Sequence, residues 1–221
     1  MVPQSSRPRK LAPPARRRPA GAARLRCEPL EDRVTPALFT AQPPPNIAGL
    51  NNNGCVAVGD FNHDGYMDAV FTNEGTDFNS AADNRITILY GKATGGFTTV
   101  NVNTGGTNVS FVTAVDINGD GWLDLVCVNE NNAGNNSSTN LGSFSVFQNN
   151  ARAGAFNAFT LKGTYSTASV NPSWVGLADV TGDGVKDVVV GAFGPLDAAG
   201  QNVNGKITIF QGNPDASGHG D

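Results

Sequence analysis

Apolar and polar residues alternate in short runs along most of this chain. "RITILYG" (85–91), "SFSVFQN" (143–149) and "KITIFQG" (206–212) each turn every second side chain to an apolar face, the period of a strand buried on one side. "GFTTVNV" (96–102) and "AFNAFTL" (155–161) follow the first two as further strand-like runs. Upstream of each group lies a denser apolar stretch split by a polar loop: "VAVGDFNHDGYMDAVFTN", "VTAVDINGDGWLDLVCVNE" and "VGLADVTGDGVKDVVVGAF". No apolar stripe of helical period and length occurs anywhere, so the pattern predicts an all-β protein.

The three split stretches are one repeat. Their first aspartates are Asp60, Asp116 and Asp179, spaced by 56 and then 63 residues. Each unit reads as strand, Asp loop, strand, polar loop and one or two more strands, which predicts four-stranded antiparallel blades of β-propeller type. The blades are placed at about 52–102, 108–161 and 171–213 within a repeat region of 36–221. Closed propellers have about four to eight blades, so three imply an incomplete or open propeller. The last unit ends in "GNPDASGHGD" with no fourth strand run, and "ALFTAQ" (37–42) is placed to complete the third blade or the edge of another molecule. A fragment of a longer propeller, a pair of three-blade halves and an open arc all fit this count; open edges favour self-association.

Each loop reads D-x-[N/T]-x-D-G-x-x-D. Positions 1, 3, 5 and 9 are Asp60, Asn62, Asp64 and Asp68 in the first, Asp116, Asn118, Asp120 and Asp124 in the second, and Asp179, Thr181, Asp183 and Asp187 in the third. The glycine at position 6 permits a sharp turn that brings in the position-7 carbonyls of Tyr66, Trp122 and Val185. Calcium takes six to eight hard oxygen ligands, and these loops offer them. Nine of the sixteen acids beyond residue 33 lie in the loops, so up to three calcium ions would move that region from −10 to −4 and couple binding to folding. Ordinary Asx turns would account for "NGDG" and "TGDG" but not for an aspartate at position 9 three times over. EF-hands need an acid at position 12, where this chain has Phe71, Cys127 and Val190. Thr181 is a poorer neutral ligand than asparagine, so the third site is expected to bind most weakly.

The three units resemble FG-GAP/VCBS repeats, the blade unit of integrin alpha-chain propellers and of many bacterial surface proteins. "VAVGDFNHDGYMDAVF" is close to the VCBS form and "DVTGDGVKDVVVGAFGP" to the FG-GAP form. The resemblance covers about residues 37–213. It implies a propeller with calcium in the hairpin between the first two strands of each blade, serving adhesion or ligand binding or accompanying a catalytic domain.

Charge divides the chain. Residues 1–33 carry nine basic and three acidic side chains, a net of +6 against −10 for the remainder. Residues 1–35, rich in Pro, Ala and Arg, are expected to be a disordered or processed leader. Within them "LRCEPLEDRVTPA" resembles the "LExLEDRxTPA" leader of exported proteins from some environmental bacteria, which implies an extracellular or cell-surface location. A basic tail that touches acidic polymers is the alternative. An acidic body argues against nucleic acid as its partner, and no apolar run reaches the roughly 20 residues of a membrane helix.

Catalysis is not expected. The two histidines, His63 and His219, have no evident triad partners, and most carboxylates belong to the loops. Cys55 and Cys127 read as buried, inert thiols, while Cys27 lies in the basic head. The expected role is therefore a non-enzymatic calcium-binding repeat protein with a protein or carbohydrate ligand. The alternative is the accessory propeller of a larger extracellular polysaccharide-acting enzyme. Tyr66 and Trp122 are placed either to stack on sugar rings or, more simply, to pack on a neighbouring blade. The Asn-rich loops 73–84 and 129–142 would carry binding specificity.

Overall fold

A computed structural model of the chain describes residues 54–74, 83–131, 141–150, 153–156 and 158–213. The expected leader 1–35, the segment 37–42 and most of the two Asn-rich loops lie outside these residues.

The described residues form eleven strands in chain order: β1 Val56–Gly59, β2 Asp68–Thr72, β3 Arg85–Gly91, β4 Phe97–Asn103, β5 Val109–Val115, β6 Asp124–Asn129, β7 Leu141–Asn149, β8 Phe159–Val170, β9 Pro172–Ala178, β10 Asp187–Ala192 and β11 Lys206–Phe210. They assemble into three antiparallel sheets, β1-β2-β3-β4, β5-β6-β7-β8 and β9-β10-β11. Every sheet is a meander in which sequence neighbours pair. The protein is all-β, as the alternation predicts. The third sheet has three strands among the described residues, not the four of the repeat pattern, and it is the unit that lacks a fourth alternating run in the sequence.

Alternation decides how the sheets stack. One face of the first sheet (Val70, Ile86, Ile88, Tyr90) packs on Val112, Leu125, Cys127 and Phe147 of the second. The opposite face of the second sheet (Val126, Val128, Phe144) packs on Val175 and Val190 of the third. The second sheet is thus apolar on both faces, and β6 is buried at every position, "DLVCVN". That explains why its run reads as continuously apolar rather than alternating. Burying each Val, Ile, Leu or Phe side chain of these two cores contributes about 1.5–3 kcal/mol. The first strands β1, β5 and β9 neighbour one another in turn, so the loops following them are carried on adjacent sheets.

β8 departs most from expectation. It starts at Phe159 and continues to Val170, well beyond the run 155–161, and its pairing with β7 slips at two places. Cys127 is fully buried, as expected, and burial pushes its thiol up to about 12. Cys55 is only half-buried, because it precedes β1 at the rim of the first core; its thiol donates a weak bond to the Val112 carbonyl at 3.5 Å.

Candidate metal centre

In each loop the chain leaves the first strand of a sheet, turns through a left-handed glycine and enters the second strand. Gly65, Gly121 and Gly184 have φ of 86°, 88° and 88°, a conformation that costs glycine nothing and other residues about a kilocalorie or more. The turn folds the loop back over its position-1 aspartate. Both carboxylate oxygens of Asp60 accept backbone N–H bonds, from Asp64 (3.1 Å) and Gly65 (2.9 Å). Asp116 receives Gly119, Asp120 and Gly121, and Asp179 receives Gly182, Asp183 and Gly184. The position-5 carboxylates accept the position-7 amides at 2.9, 2.8 and 2.9 Å.

Position 9 has a different task. Asp68 is buried, and its two oxygens accept the amides of Phe61 in its own loop and Gly91 at the end of β3, both at 2.8 Å. Asp124 likewise ties Ile117 (3.0 Å) to Asn149 (2.8 Å). Asp187 ties Val180 and Thr181 to Gly212, at 2.9, 3.0 and 2.9 Å. A carboxylate at this position therefore clamps the loop to the end of the third strand, or in the third sheet to Gly212 just past it, which is why an acid recurs at the first residue of β2, β6 and β10. The close approach also selects the strand ends: a Cβ at Gly91 or Gly212 would lie 2.4 Å from the position-8 carbonyl of Met67 or Lys186.

The three loops are not electrostatically equal. Burial raises the carboxyl of Asp68 above the usual range, against the pull of the two amides, and Asp64 and Asp60 raise it further. Asp124 is raised for the same reasons, burial first, with Asp120 and Asp116 adding to it. Asp183 is lowered, chiefly by the Gln211 side-chain amide at 2.9 Å and then by the Val185 amide. Asp187 is also lowered, first by the Gly212 amide. Asp187 has no exposed surface of its own, yet it stands in thinly packed surroundings beside exposed residues, so its hydrogen bonds outweigh desolvation. The Thr181 side chain lowers both carboxyls a little further.

The donor set of each loop is all oxygen, with three carboxylates within nine residues, and that chemistry fits a hard dication. In the first two loops a carboxylate is additionally held in a buried place beside two others, which a cation would relieve. The side chains themselves are turned onto backbone amides, and among the described residues no three His, Cys, Asp or Glu side chains stand together as a metal-ligand cluster. The neutral position-3 residues differ as well. Asn62 is buried and its amide donates to Asp64 at 3.1 Å, Asn118 donates to Asp120 at 3.0 Å, and Thr181 is exposed. Of the position-7 residues, Tyr66 is exposed, Trp122 half-buried and Val185 buried.

The sequence placed Trp122 to pack on a neighbouring blade, but the partners that join the first and second loops were not legible in it. The His63 imidazole stacks on the Trp122 indole, with centroids 3.8 Å apart and planes 14° from parallel. Asn149 donates its side-chain amide to the carbonyls of Phe61 (2.8 Å) in the first loop and Leu123 (3.1 Å) in the second. The Gly154 amide donates to the Asn62 carbonyl at 2.7 Å. The one signal was at the strand ends: where Gly91 and Gly212 close the other units, the second has an asparagine.

Compared with known families, the chain matches the FG-GAP-like repeat over residues 74–127 and 116–190. No curated protein matches it.

Proposed function

This chain belongs to the FG-GAP-like repeat family, and from that premise we propose that it is a non-enzymatic, extracellular calcium-binding repeat protein whose rigid sheets present loops for adhesion or ligand binding. The observation that carries the reading is the threefold recurrence of one all-oxygen loop, each clamped to its sheet by a buried position-9 carboxylate. Repeats of this family typically bind calcium. The residues that would hold the ion are Asp60, Asn62, Asp64, Asp68 and the Tyr66 carbonyl in the first loop. Asp116, Asn118, Asp120, Asp124 and the Trp122 carbonyl would serve the second, and Asp179, Thr181, Asp183, Asp187 and the Val185 carbonyl the third. When bound, calcium supplies charge neutralisation and a fixed centre for a loop that otherwise rests on its own amides.

The chain's own residues set the order of affinity. Asp68 and Asp124 are buried beside like charges and gain most from a cation. Asp183 and Asp187 already have side-chain and backbone donors, and the third loop is exposed, so it binds most weakly. Titrating the chelator-treated full chain with calcium in a calorimeter tests this: up to three sites are expected, one clearly weaker, and absence of any calcium-dependent heat contradicts the reading.

A further inference from the structure

The two interfaces between sheets follow the same register, but only the first is filled. Between the first and second sheets, Leu123 at position 8 of the second loop packs into the core, and Val100 of β4 packs against the same core. Phe159 of β8 closes it, edge-on to Phe61 with centroids 5.9 Å apart. Between the second and third sheets, position 8 is Lys186. Gly163 takes the place of Val100, each standing across from the middle apolar residue of its third strand, Val146 or Ile88. Among the described residues the third sheet has no fourth strand to supply a counterpart of Phe159. The result is a cleft of about 600 Å³.

The floor of this cleft is apolar: Phe144 and Val146 of β7, Val188 of β10 and Phe210 of β11. Phe210 meets Phe144 edge-on, with centroids 4.8 Å apart. Tyr165 of β8 stacks on Phe144 at 5.1 Å, 22° from parallel, and remains 47% exposed. Gly163 makes room for that ring, since a Cβ there would lie 2.8 Å from the Tyr165 hydroxyl. The rim is polar and positive, with Lys162, Lys186 and Gln211. Only six basic side chains follow residue 33, in a region of net −10, and two of them line this one cleft. Neither lysine forms an ion pair among the described residues, whereas Arg85 is tied to Asp83. Gln211 donates its amide to Asp183 at 2.9 Å, which leaves its oxygen for another donor.

We propose that this cleft binds an acidic oligosaccharide, with a sugar ring lying on Tyr165 and carboxylates held by Lys162 and Lys186. The C–H face of a sugar ring suits a half-exposed tyrosine above an apolar floor. Its hydroxyls suit the Gln211 oxygen and the Tyr165 hydroxyl at the rim. Two cations without protein partners call for an anion, and the charge-assisted bonds they form are the strong ones. The volume falls within the roughly 300–1,000 Å³ of small-ligand sites. An acidic peptide would meet the lysines but brings no ring to the Tyr165 face, and a neutral sugar would leave both lysines unpaired. The assignment deepens the ligand-binding part of the proposed function and rests on that part, not on the calcium.

Calorimetric titration of the full chain in calcium tests this, with a hexasaccharide of alternating glucuronate and N-acetylglucosamine as the probe. Chitohexaose, which has the rings without the charge, and hexaglutamate, which has the charge without the rings, are the comparisons. The acidic sugar is expected to bind, and each comparison to bind about tenfold more weakly or not at all. Lys162→Gln should weaken the acidic sugar about tenfold while leaving calcium uptake and the far-ultraviolet spectrum unchanged. Lys186→Leu restores the residue of the second loop, fills the cleft and should abolish sugar binding without unfolding the chain. No heat with the acidic sugar, equal affinity for chitohexaose, tighter binding of hexaglutamate, or full affinity in either variant would overturn the proposal. A calcium titration of the same sample keeps the two readings apart: calcium uptake without sugar binding removes only the cleft, and sugar binding without calcium uptake removes only the metal sites.

Discussion

His63, at position 4 of the first Asp loop, lies flat against Trp122, at position 7 of the second, with ring centroids 3.8 Å apart. The stack joins two loops whose first aspartates are 56 residues apart in sequence. It also occupies one face of the Trp122 indole, so that ring serves packing between neighbouring sheets, while Tyr66 at the same position of the first loop remains 43% exposed. An aromatic pair of this kind contributes about 0.5–1.5 kcal/mol beyond the area it buries. Trp122→Ala should therefore destabilise the chain by about 1–2 kcal/mol in urea. It should weaken calcium binding in the first two loops while leaving the third unaffected. Equal weakening of all three would mean that the stack does not act locally.

Asn149 couples the same two loops through hydrogen bonds. Replacing it by alanine leaves the Phe61 and Leu123 carbonyls without this donor, a loss of about 1–3 kcal/mol. Urea denaturation of Asn149→Ala checks the figure. Asn149→Gly, which restores the residue found at the other two strand ends, should be no more stable than the alanine variant, because the missing amide group and not the backbone is at issue.

The position-9 clamp acts without any metal. Asp124→Ala removes the acceptor for the amides of Ile117 and Asn149, both in sheltered positions. The expected loss is about 1–3 kcal/mol for each unpaired donor, measured in chelator. Asp116→Ala, whose carboxylate serves exposed amides of the turn, should cost less in chelator and more in calcium. If the two variants lose equal stability in chelator, the clamp has no structural role of its own.

Acid should treat the loops differently. Asp68 and Asp124 have raised carboxyls, so the folded state binds their protons more tightly than the unfolded chain does. Their contribution to metal-free stability is fully present below the ordinary carboxylate value and is lost as pH rises through the raised one. Asp183 and Asp187 are lowered, so their contribution is present above the ordinary value and disappears as pH falls through the lowered one. Hydrogen exchange in chelator, corrected for intrinsic rates, should show the amides of Val180 and Gly212 losing protection on acidification before those of Phe61 and Gly91. The reverse order would contradict the assignment of the shifts.

Strands and loops were legible in the sequence because their signals are local. The run "RITILYG" is β3 from end to end, although its alternation predicts one buried face and every residue from Ile86 to Gly91 is buried. The threefold D-x-[N/T]-x-D-G-x-x-D fixed the loop positions in the same way. Legibility failed where a residue's role depends on a partner far along the chain. His63 was read only as a histidine without triad partners, because the ring it stacks on is 59 positions away. The position-9 aspartates were read only as ligands, although each also accepts an amide from a strand about 25 residues downstream. β8 ran past its predicted end because its outer positions pair with β7 without needing an apolar pattern.

Each Asp loop carries three carboxylates within nine residues, and the proposed function holds that a hard dication neutralises them. Thermal unfolding of the full chain, compared in calcium and in excess chelator with magnesium held constant, tests this most directly. The account predicts a midpoint several degrees higher in calcium, as expected when an ion binds only the folded state, and a smaller increment for Asp64→Asn, Asp120→Asn and Asp183→Asn in that order of decreasing effect. Superimposable melts in calcium and chelator would contradict it.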